Sequence, residues 1–593
     1  MRITRMGIAA FVLAASLPVS AFAVDAELQK KIDDLSQQLD SLKQQVQKSE
    51  EKAKVTEEKV EKTEALAKQT DEKSLGKWLT IGGDYRFRVD SLRGDVAPYA
   101  NAMTFGTYVQ NSMKQLYNDT YNLMFNGAVA TATNGLRPPT QTEFMAAQQQ
   151  AGAAATTAQN QAMQQALTNP ALMAQFLAQS KAMQDAYKTK NNTLYTNRVG
   201  LNIKAKATEN VTFKSRLLMY KVAGAQNDSS TIGPYFSDRA GIFDGTLGHV
   251  PSDGQLTVDQ AYVTWSNIAE QPLWFSVGRR PSTDGSPLHL KNNTEKTGTA
   301  GLPALLVNYA FDGMTIGYAP DVDALGSPYV KLCYGRGFES GFSGSPAGNS
   351  LKDTDMLGVQ AAVYNTDDVT ALIQYNRGFN IFDAPVFMTG PFNTLSVGPS
   401  VNLGDIDWYG FDVVGKTDKV GPGVFNWFLD GALSVTHPNH DTSAQFGGMG
   451  MLSGGFMDPD MNPSSKTGWA VFVGGRYDVT ATKTKLGFEY NHGSKNWIAF
   501  APSADDMWTS KLGTRGNAYE GYVIQELNLK PISSLLSKVF FKVGYQYYDF
   551  EYTGSNNWVG APVKISDLNS ASLQLMAPIK NAQDIYGTFE VQF

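Results

Sequence analysis

One cysteine, Cys333, stands in a chain of 593 residues. A single thiol leaves no disulfide within the chain, and it also rules out the Cys-x-x-Cys-His run that attaches a c-type haem. Long apolar runs are missing too: beyond residue 23 nothing approaches the about 20 apolar residues that a helix needs to cross a bilayer. Charge is sparse at 18%, and a net charge of -6 names no partner by itself. Histidine is rare, with His249, His289, His437, His440 and His492 scattered along the chain. Only His437 and His440 are neighbours, which reads as a surface pair rather than a metal site. Asp441 and Ser443 follow closely, yet no Gly-x-Ser-x-Gly elbow marks a nucleophile. No enzyme and no cofactor is expected.

Glycine and aromatic residues are plentiful, with 55 Gly, 26 Tyr, 31 Phe and 9 Trp. Aromatic girdles and glycine turns suit a closed sheet in lipid, in which every backbone group is paired without water. Residues 1–23 have the zones of a secretory signal: Arg2 and Arg5, an apolar stretch, then Ala21-Phe22-Ala23. Residues 24–75 contain no Gly or Pro and carry heptads. Ile32, Leu39, Val46, Ala53, Val60 and Ala67 fall at a, with Leu28, Leu35, Leu42, Ser49, Thr56, Thr63 and Thr70 at d. Lys52 with Glu57 and Lys59 with Glu64 occupy g and the following e, where opposite charges favour parallel strands. The segment is either a coiled coil, with other copies of the chain as partners, or a solvated helical spacer. From Leu28 to Thr70 it would reach roughly 65 Å, far enough to touch peptidoglycan.

At Trp78 the period becomes two. Leu79, Ile81, Tyr85, Phe87 and Val89 alternate with Thr80, Gly82, Asp84, Arg86, Arg88 and Asp90. Comparable rows recur to the end, where Ile585, Gly587, Phe589, Val591 and Phe593 share one face. Alternate apolar residues finishing on an aromatic match the signal for outer-membrane barrel insertion, placed here on Phe589, Val591 and Phe593. Connections alternate long and short, with short turns expected at 208–210, 267–271, 312–313, 365–368, 417–422 and 481. The expected fold over residues 76–593 is an all-β transmembrane antiparallel barrel behind an N-terminal α-helical coiled coil. Its strand number is about 16 if 314–337 is one strand and 18 if it is three. Residues 91–192 form a long, partly helical insert, helical at 143–150 and 171–188, that either folds into the pore or stays outside.

Parity places Arg86, Arg88, Arg198, Lys204, Lys206, Lys214, Arg216, Arg280, Lys331, Arg476, Lys485 and Lys542 on the inner face, against Asp84, Asp90, Asp259 and Glu489. Cations outnumber acids in that count, so an anion-leaning interior is expected. VGRRPSTDGSP at 277–287 leaves a strand on Arg279 and Arg280, either as an anion clamp or as a structural arginine network. This stretch, with IGGDYRFR at 81–88, resembles a family of porin-like outer-membrane proteins known from metal-reducing and related bacteria. The resemblance implies an outer-membrane channel and, in some members, a link to respiration on external metals. A passive channel for small hydrophilic solutes is therefore expected, with the bilayer, lipopolysaccharide, the barrel-assembly machinery and two further copies as partners. The competing expectation is a non-conducting scaffold that supports a periplasmic partner such as a cytochrome.

Overall fold

A computed structural model describes residues 30, 33–44, 46–48, 78–224, 240–241, 255–281, 285–294, 305–339, 351–383, 386–387, 400–443, 448–454, 463–501, 506–527 and 538–593. The chain divides into two compact units, 1–77 and 78–593. In the first, residues 33–44 and 46–48 are helical, with Leu35, Leu39, Leu42 and Val46 exposed along them. The signal segment and the rest of the heptads lie outside the described residues.

The second unit is a closed antiparallel barrel of 16 strands, each paired with its neighbours in sequence. They are β1 Leu79–Val96, β2 Tyr187–Lys206, β3 Val211–Ala223, β4 Gln255–Trp265, β5 Leu273–Arg280, β6 Phe311–Tyr318, β7 Tyr329–Phe338 and β8 Thr354–Asn365. The ring continues with β9 Val369–Phe382, β10 Asn402–Val420, β11 Gly423–Pro438, β12 Thr467–Val479, β13 Thr484–Gly493, β14 Gly516–Glu526, β15 Lys538–Phe550 and β16 Ile579–Gln592. β16 pairs with β1 and closes it.

Alternation sets the two faces. Ile81, Ile373, Phe488, Val543 and Ile585 point outward, each more than half exposed, as side chains that meet hydrocarbon must be. Phe589 lies on that face, its ring 4.9 Å from Phe541, and Val591 and Phe593 follow with the same parity. Backbone bonds between Gly83 and Phe593, 2.7 and 2.9 Å long, finish the seam. Glycine is needed there because a Cβ on Gly83 would stand 2.3 Å from the Gly200 carbonyl oxygen.

The count of 16 agrees with expectation, but one part of the path does not. No turn forms at 312–313; β6 runs straight through it, and the turn lies at 319–328. Residues 314–337 therefore hold two strands rather than one or three. Parity survives because the strand expected before residue 312 is not made. Leu305, Leu306 and Val307, whose apolar run looks like a strand, are at most 1% exposed and sit inside the barrel, with Val307 bridged to Phe500.

The insert also differs in detail. β1 and β2 extend to Val96 and Tyr187, and three helices lie between them: α1 Ala102–Thr133, α2 Gln141–Thr168 and α3 Pro170–Gln179. α1 is longer than anything read there from sequence. α2 starts on a capping box, Thr140 and Glu143 each bonding the other's backbone N–H. α3 begins on Pro170 behind the Asn169 cap and stops at Gln179, short of the expected 188. Met183–Gln184 instead joins Tyr99–Asn101 and Leu573–Gln574 in a small sheet. Ala147, Ala151 and Ala155 are buried on α2, while Leu123 and Leu136 are left 73% and 88% exposed.

Candidate functional site

The barrel interior is built from the inward rows of the strands and from loops that fold into it. On the arc β1 to β4, Asp84 accepts from Arg198 at 3.0 Å and from Arg216 at 2.7 Å, and Arg216 is 3.6 Å from Asp259. Arg86, 2% exposed, lies on the same inward row as Asp84 and interacts electrostatically with it and with Glu590. Nearer the turn end, Lys204 and Lys214 are directly opposite each other on β2 and β3. Both remain exposed, and among the described residues neither has an acid partner.

The arc β13 to β1 is denser. Glu520 on β14 takes Lys291 at 2.9 Å, Lys511 at 2.5 Å and the Tyr586 hydroxyl at 2.6 Å. Lys511 also bonds Glu489, and Lys291 is 3.3 Å from Asp506. Burial opposes the charge on Lys511, but Glu489, Glu520 and Asp506 outweigh it and hold the ammonium above its usual range. Beside them Arg88 pairs with Asp90 at 2.6 Å and Asp584 at 2.9 Å, its guanidinium 4.3 Å from the centre of the Tyr586 ring. Lys542 pairs with Glu590 at 3.1 Å.

Neither lysine on Glu520 belongs to a strand. Lys291 sits on a one-turn helix, α4 His289–Asn292, in the loop between β5 and β6. Around the ring β5 and β14 are seven strands apart one way and nine the other, so this loop crosses the lumen. It is held on the far wall: Arg476 donates to the Leu290 carbonyl at 2.5 Å, Lys485 to Asn293 at 2.6 Å and Lys542 to the Lys291 carbonyl at 3.2 Å. Arg476 is also gripped by Asp478 through two bonds of 2.7 Å. Lys511 comes from the loop between β13 and β14. The described parts of the β5–β6 connection that lie in the interior are thus 285–294 and 305–310, where sequence reading expected a long loop beyond Arg280.

Towards the loop end the interior is apolar. Trp408, Phe382 and Phe472 on the wall, with Leu306, Trp497, Phe500 and Trp558 from loops, form a cluster in which none exceeds 3% exposure. The indole of Trp408 donates to the Ile498 carbonyl at 2.8 Å. Arg515 ties two loops together by donating to the carbonyls of Trp497, Thr553 and Asn557 at 3.0, 3.0 and 2.5 Å.

Arg280 ends β5 facing inward. Its guanidinium bonds the Ser276 hydroxyl at 2.9 Å and that of Thr315, with the Trp274 ring 5.8 Å away. Arg279 pairs instead with Asp312 at 2.9 Å, so the two arginines do not act as one clamp. His437 bonds Asp407 at 2.8 Å, whereas Asp441 accepts from Asn439 at 3.0 Å. The His-Asp-Ser arrangement imagined around residue 437 is not assembled by these bonds.

The inward charge count needs correction. Glu520, Asp584, Glu590, Asp412 and Asp430 are all buried and face inward beside the four acids read from parity, so the excess of cations is smaller than the sequence count suggests. Glu520 and Lys511, which organise the interior, were missed. Their signal was available only as a charged residue on a strand of Tyr, Gly and Val, and as a lysine in a loop with no periodicity.

With the barrel and its interior described, the decisive comparison is a family match over residues 188–593, from β2 to the last strand. The chain belongs to the family described as protein of unknown function, DUF3373. No curated protein matches this DUF3373 chain. Among solved structures, OprB of Pseudomonas putida is 10% identical with a TM-score of 0.36, covering 88% of this chain and 96% of its own. The anion-selective porin from Comamonas acidovorans is 9% identical, TM-score 0.34, covering 87% and 99%. The outer membrane channel DcaP of Acinetobacter baumannii is 10% identical, TM-score 0.31, covering 87% and 98%. At such scores the porin-like barrel of this DUF3373 member rests on its own strand pairing.

Proposed function

We propose that this protein is a porin-like channel in the outer membrane of a Gram-negative bacterium, through which small hydrophilic solutes diffuse with an anion-leaning preference. The carrying observation is a closed, apolar-skinned barrel whose inner wall is charged and hydrogen-bonded and is crossed by a loop latched to the far side. Water-filled barrels need polar inner rows, and an inward loop narrows them to solute size. The anion leaning is supported by which charges stay accessible: the inner acids around Glu520 and Asp584 are buried in pairs, while Lys204 and Lys214 are exposed. In this reading residues 1–23 are the secretion signal and Phe593 closes the insertion signal. Residues 24–75 form a periplasmic coiled coil that trimerises the barrel and reaches peptidoglycan. Catalysis is no part of it.

Stepwise currents from the refolded protein in a planar bilayer, with a reversal potential set by chloride under a salt gradient, are the expected result. A fully inserted but silent barrel would overturn the channel. One observation favours a second reading, a non-conducting scaffold for a periplasmic partner such as an electron-transfer cytochrome: the apolar cluster around Trp408 and Phe500 fills part of the interior. Deleting residues 24–75 separates the two, since a channel keeps conducting and a scaffold loses its partner.

A further inference from the structure

Near the turn end of β1 to β4 one inward row departs from the pairing seen deeper in the barrel. Inner cations there stand against carboxylates: Arg198 and Arg216 on Asp84, Arg88 on Asp90 and Asp584, Lys542 on Glu590, and Lys485 on Glu526 at 2.7 Å. The row in question runs Thr80, Lys204, Lys214 and Tyr262, in register across four adjacent strands. Two ammonium groups thus stand side by side, with a hydroxyl-bearing residue at each end of the row. Directly opposite residues in such a ladder have Cβ atoms about 4.5–5.5 Å apart, so both lysine side chains reach one small ion without any movement of the backbone.

Like charges placed directly opposite in a sheet destabilise it, and Lys204 and Lys214 do repel each other. Both are exposed, and neither has an acid partner among the described residues. The inner carboxylates of the neighbouring strands are committed elsewhere: Asp84 accepts from Arg198 and Arg216, and Asp259 lies 3.6 Å from Arg216. Lys206, the next inward position on β2, is exposed as well and adds a third cation, while Glu209 in the turn that follows makes no ion pair with any of the three. Sequences keep locally unfavourable arrangements of this kind chiefly at functional sites. A monovalent ion such as chloride neutralises one of the two facing lysines. A divalent oxyanion neutralises both, and its several oxygens accept from the N–H donors of each ammonium and from the exposed Thr80 hydroxyl beside Lys204.

We propose that Lys204 and Lys214 form a binding site for a compact divalent oxyanion of the phosphate and sulfate class at the turn end of the lumen, with Thr80 as a further donor and Lys206 as an outlying cation. The site deepens the channel reading by naming a solute class and rests on that reading only for access through the lumen. A flat carboxylate is matched by the fork of a guanidinium, whereas two ammonium point charges suit an ion whose oxygens project in several directions.

The test is calorimetric titration of the full-length protein in detergent micelles with inorganic phosphate and, separately, sulfate, at about pH 8, where phosphate is mostly divalent, with chloride as the monovalent comparison. Saturable binding of both dianions is expected, weakened at least about tenfold in Lys204→Gln and in Lys214→Gln, each the loss of one charge-assisted contact. Chloride should need at least about tenfold more to produce the same heat. Lys188→Gln makes the same charge change at the loop end of β2, where that side chain is 88% exposed, and should leave binding as it is. Thermal unfolding supplies a readout that a structural role would not move in this way. Without an anion either lysine variant should be at least as stable as the wild type, because a like-charge contact is gone, and phosphate should raise the midpoint of the wild type alone. Phosphate binding that is absent, that never saturates, that chloride matches, or that is equal in the wild type and both lysine variants overturns the site; so does an equal loss in Lys188→Gln, the mark of a diffuse positive field. Parallel bilayer currents separate the two proposals. A barrel that conducts but takes up no dianion sinks the site and spares the channel, whereas a silent barrel that binds phosphate spares the site and sinks the channel.

Discussion

Single residues decide whether the ring closes and whether its loops stay inside. Gly83 lies where β1 meets both β2 and the last residue, and a Cβ there would stand 2.3 Å from the Gly200 oxygen. A Gly83→Val chain has to push β2 away at the seam. The expected loss is about 1–3 kcal/mol or more, seen as a lower urea midpoint for unfolding from micelles. Glu520 is the other such position, because Lys291 and Lys511 reach it from two different loops. Glu520→Gln leaves two buried ammonium groups short of a counter-charge, a loss of about 3 kcal/mol. Both loops should then become cleavable near residues 291 and 511 by protease added to the folded barrel, and unchanged resistance would show that the latch lies elsewhere. Alkali acts differently. The folded value of Lys511 is raised above its unfolded one, so its contribution is whole below about 10.5 and is lost only as pH climbs through the raised value. Resistance at Lys511 should therefore be the same at pH 7 and pH 10.

Elements were legible in proportion to how far their pattern is local. The inward and outward rows of β1 and β16 follow from alternation within one strand, whereas the need for glycine at residue 83 appears only when β2 is packed beside it. The loop carrying 305–310 misleads because Leu305-Leu306-Val307 has the composition of a strand, and only packing against Trp408 and Phe500 diverts it inward. α1 was missed because Asn, Thr, Tyr and Gly residues dilute its helical signal, although Tyr117, Tyr121 and Phe125 stack along it at 6.2 and 5.9 Å. Glu520, Asp584 and Glu590, which pair with luminal cations beside the acids read from parity, were missed for a different reason: register across strands, and loops returning from the opposite wall, are not written in any local window. The apolar cluster holds the folded-in segments as elements, and Trp408 is its largest wall residue, at 1% exposure. Trp408→Ala removes that ring and its bond to the Ile498 carbonyl, with an expected cost of about 3–5 kcal/mol. The strands should persist by circular dichroism while hydrogen exchange accelerates at residues 497–501, which would distinguish loop release from barrel collapse.

For the whole molecule, net charge is a poor guide to what the lumen presents. The chain carries -6, yet inner charges such as Arg88 with Asp90 and Asp584, Lys511 with Glu489 and Lys542 with Glu590 sit in buried pairs whose fields cancel within a few ångströms. Screening at physiological salt acts over about 8 Å, so a solute in the lumen feels the accessible charges beside it rather than the total. On the arc of β2 and β3 those charges are Lys204 and Lys214, opposite one another and exposed. Reversing both, as Lys204→Glu with Lys214→Glu, changes the local charge by four units while leaving the Asp84, Arg198 and Arg216 cluster and the Glu520 latch untouched. If this arc sets ion preference, the reversal potential under a potassium chloride gradient should move from the chloride side to the potassium side, with the single-channel conductance little changed. An unmoved reversal potential would transfer the selectivity to the segment that crosses the lumen, where Lys291 meets Glu520 and Asn293 meets Lys485 of the far wall, and would make the loop rather than the strands the element that chooses the solute.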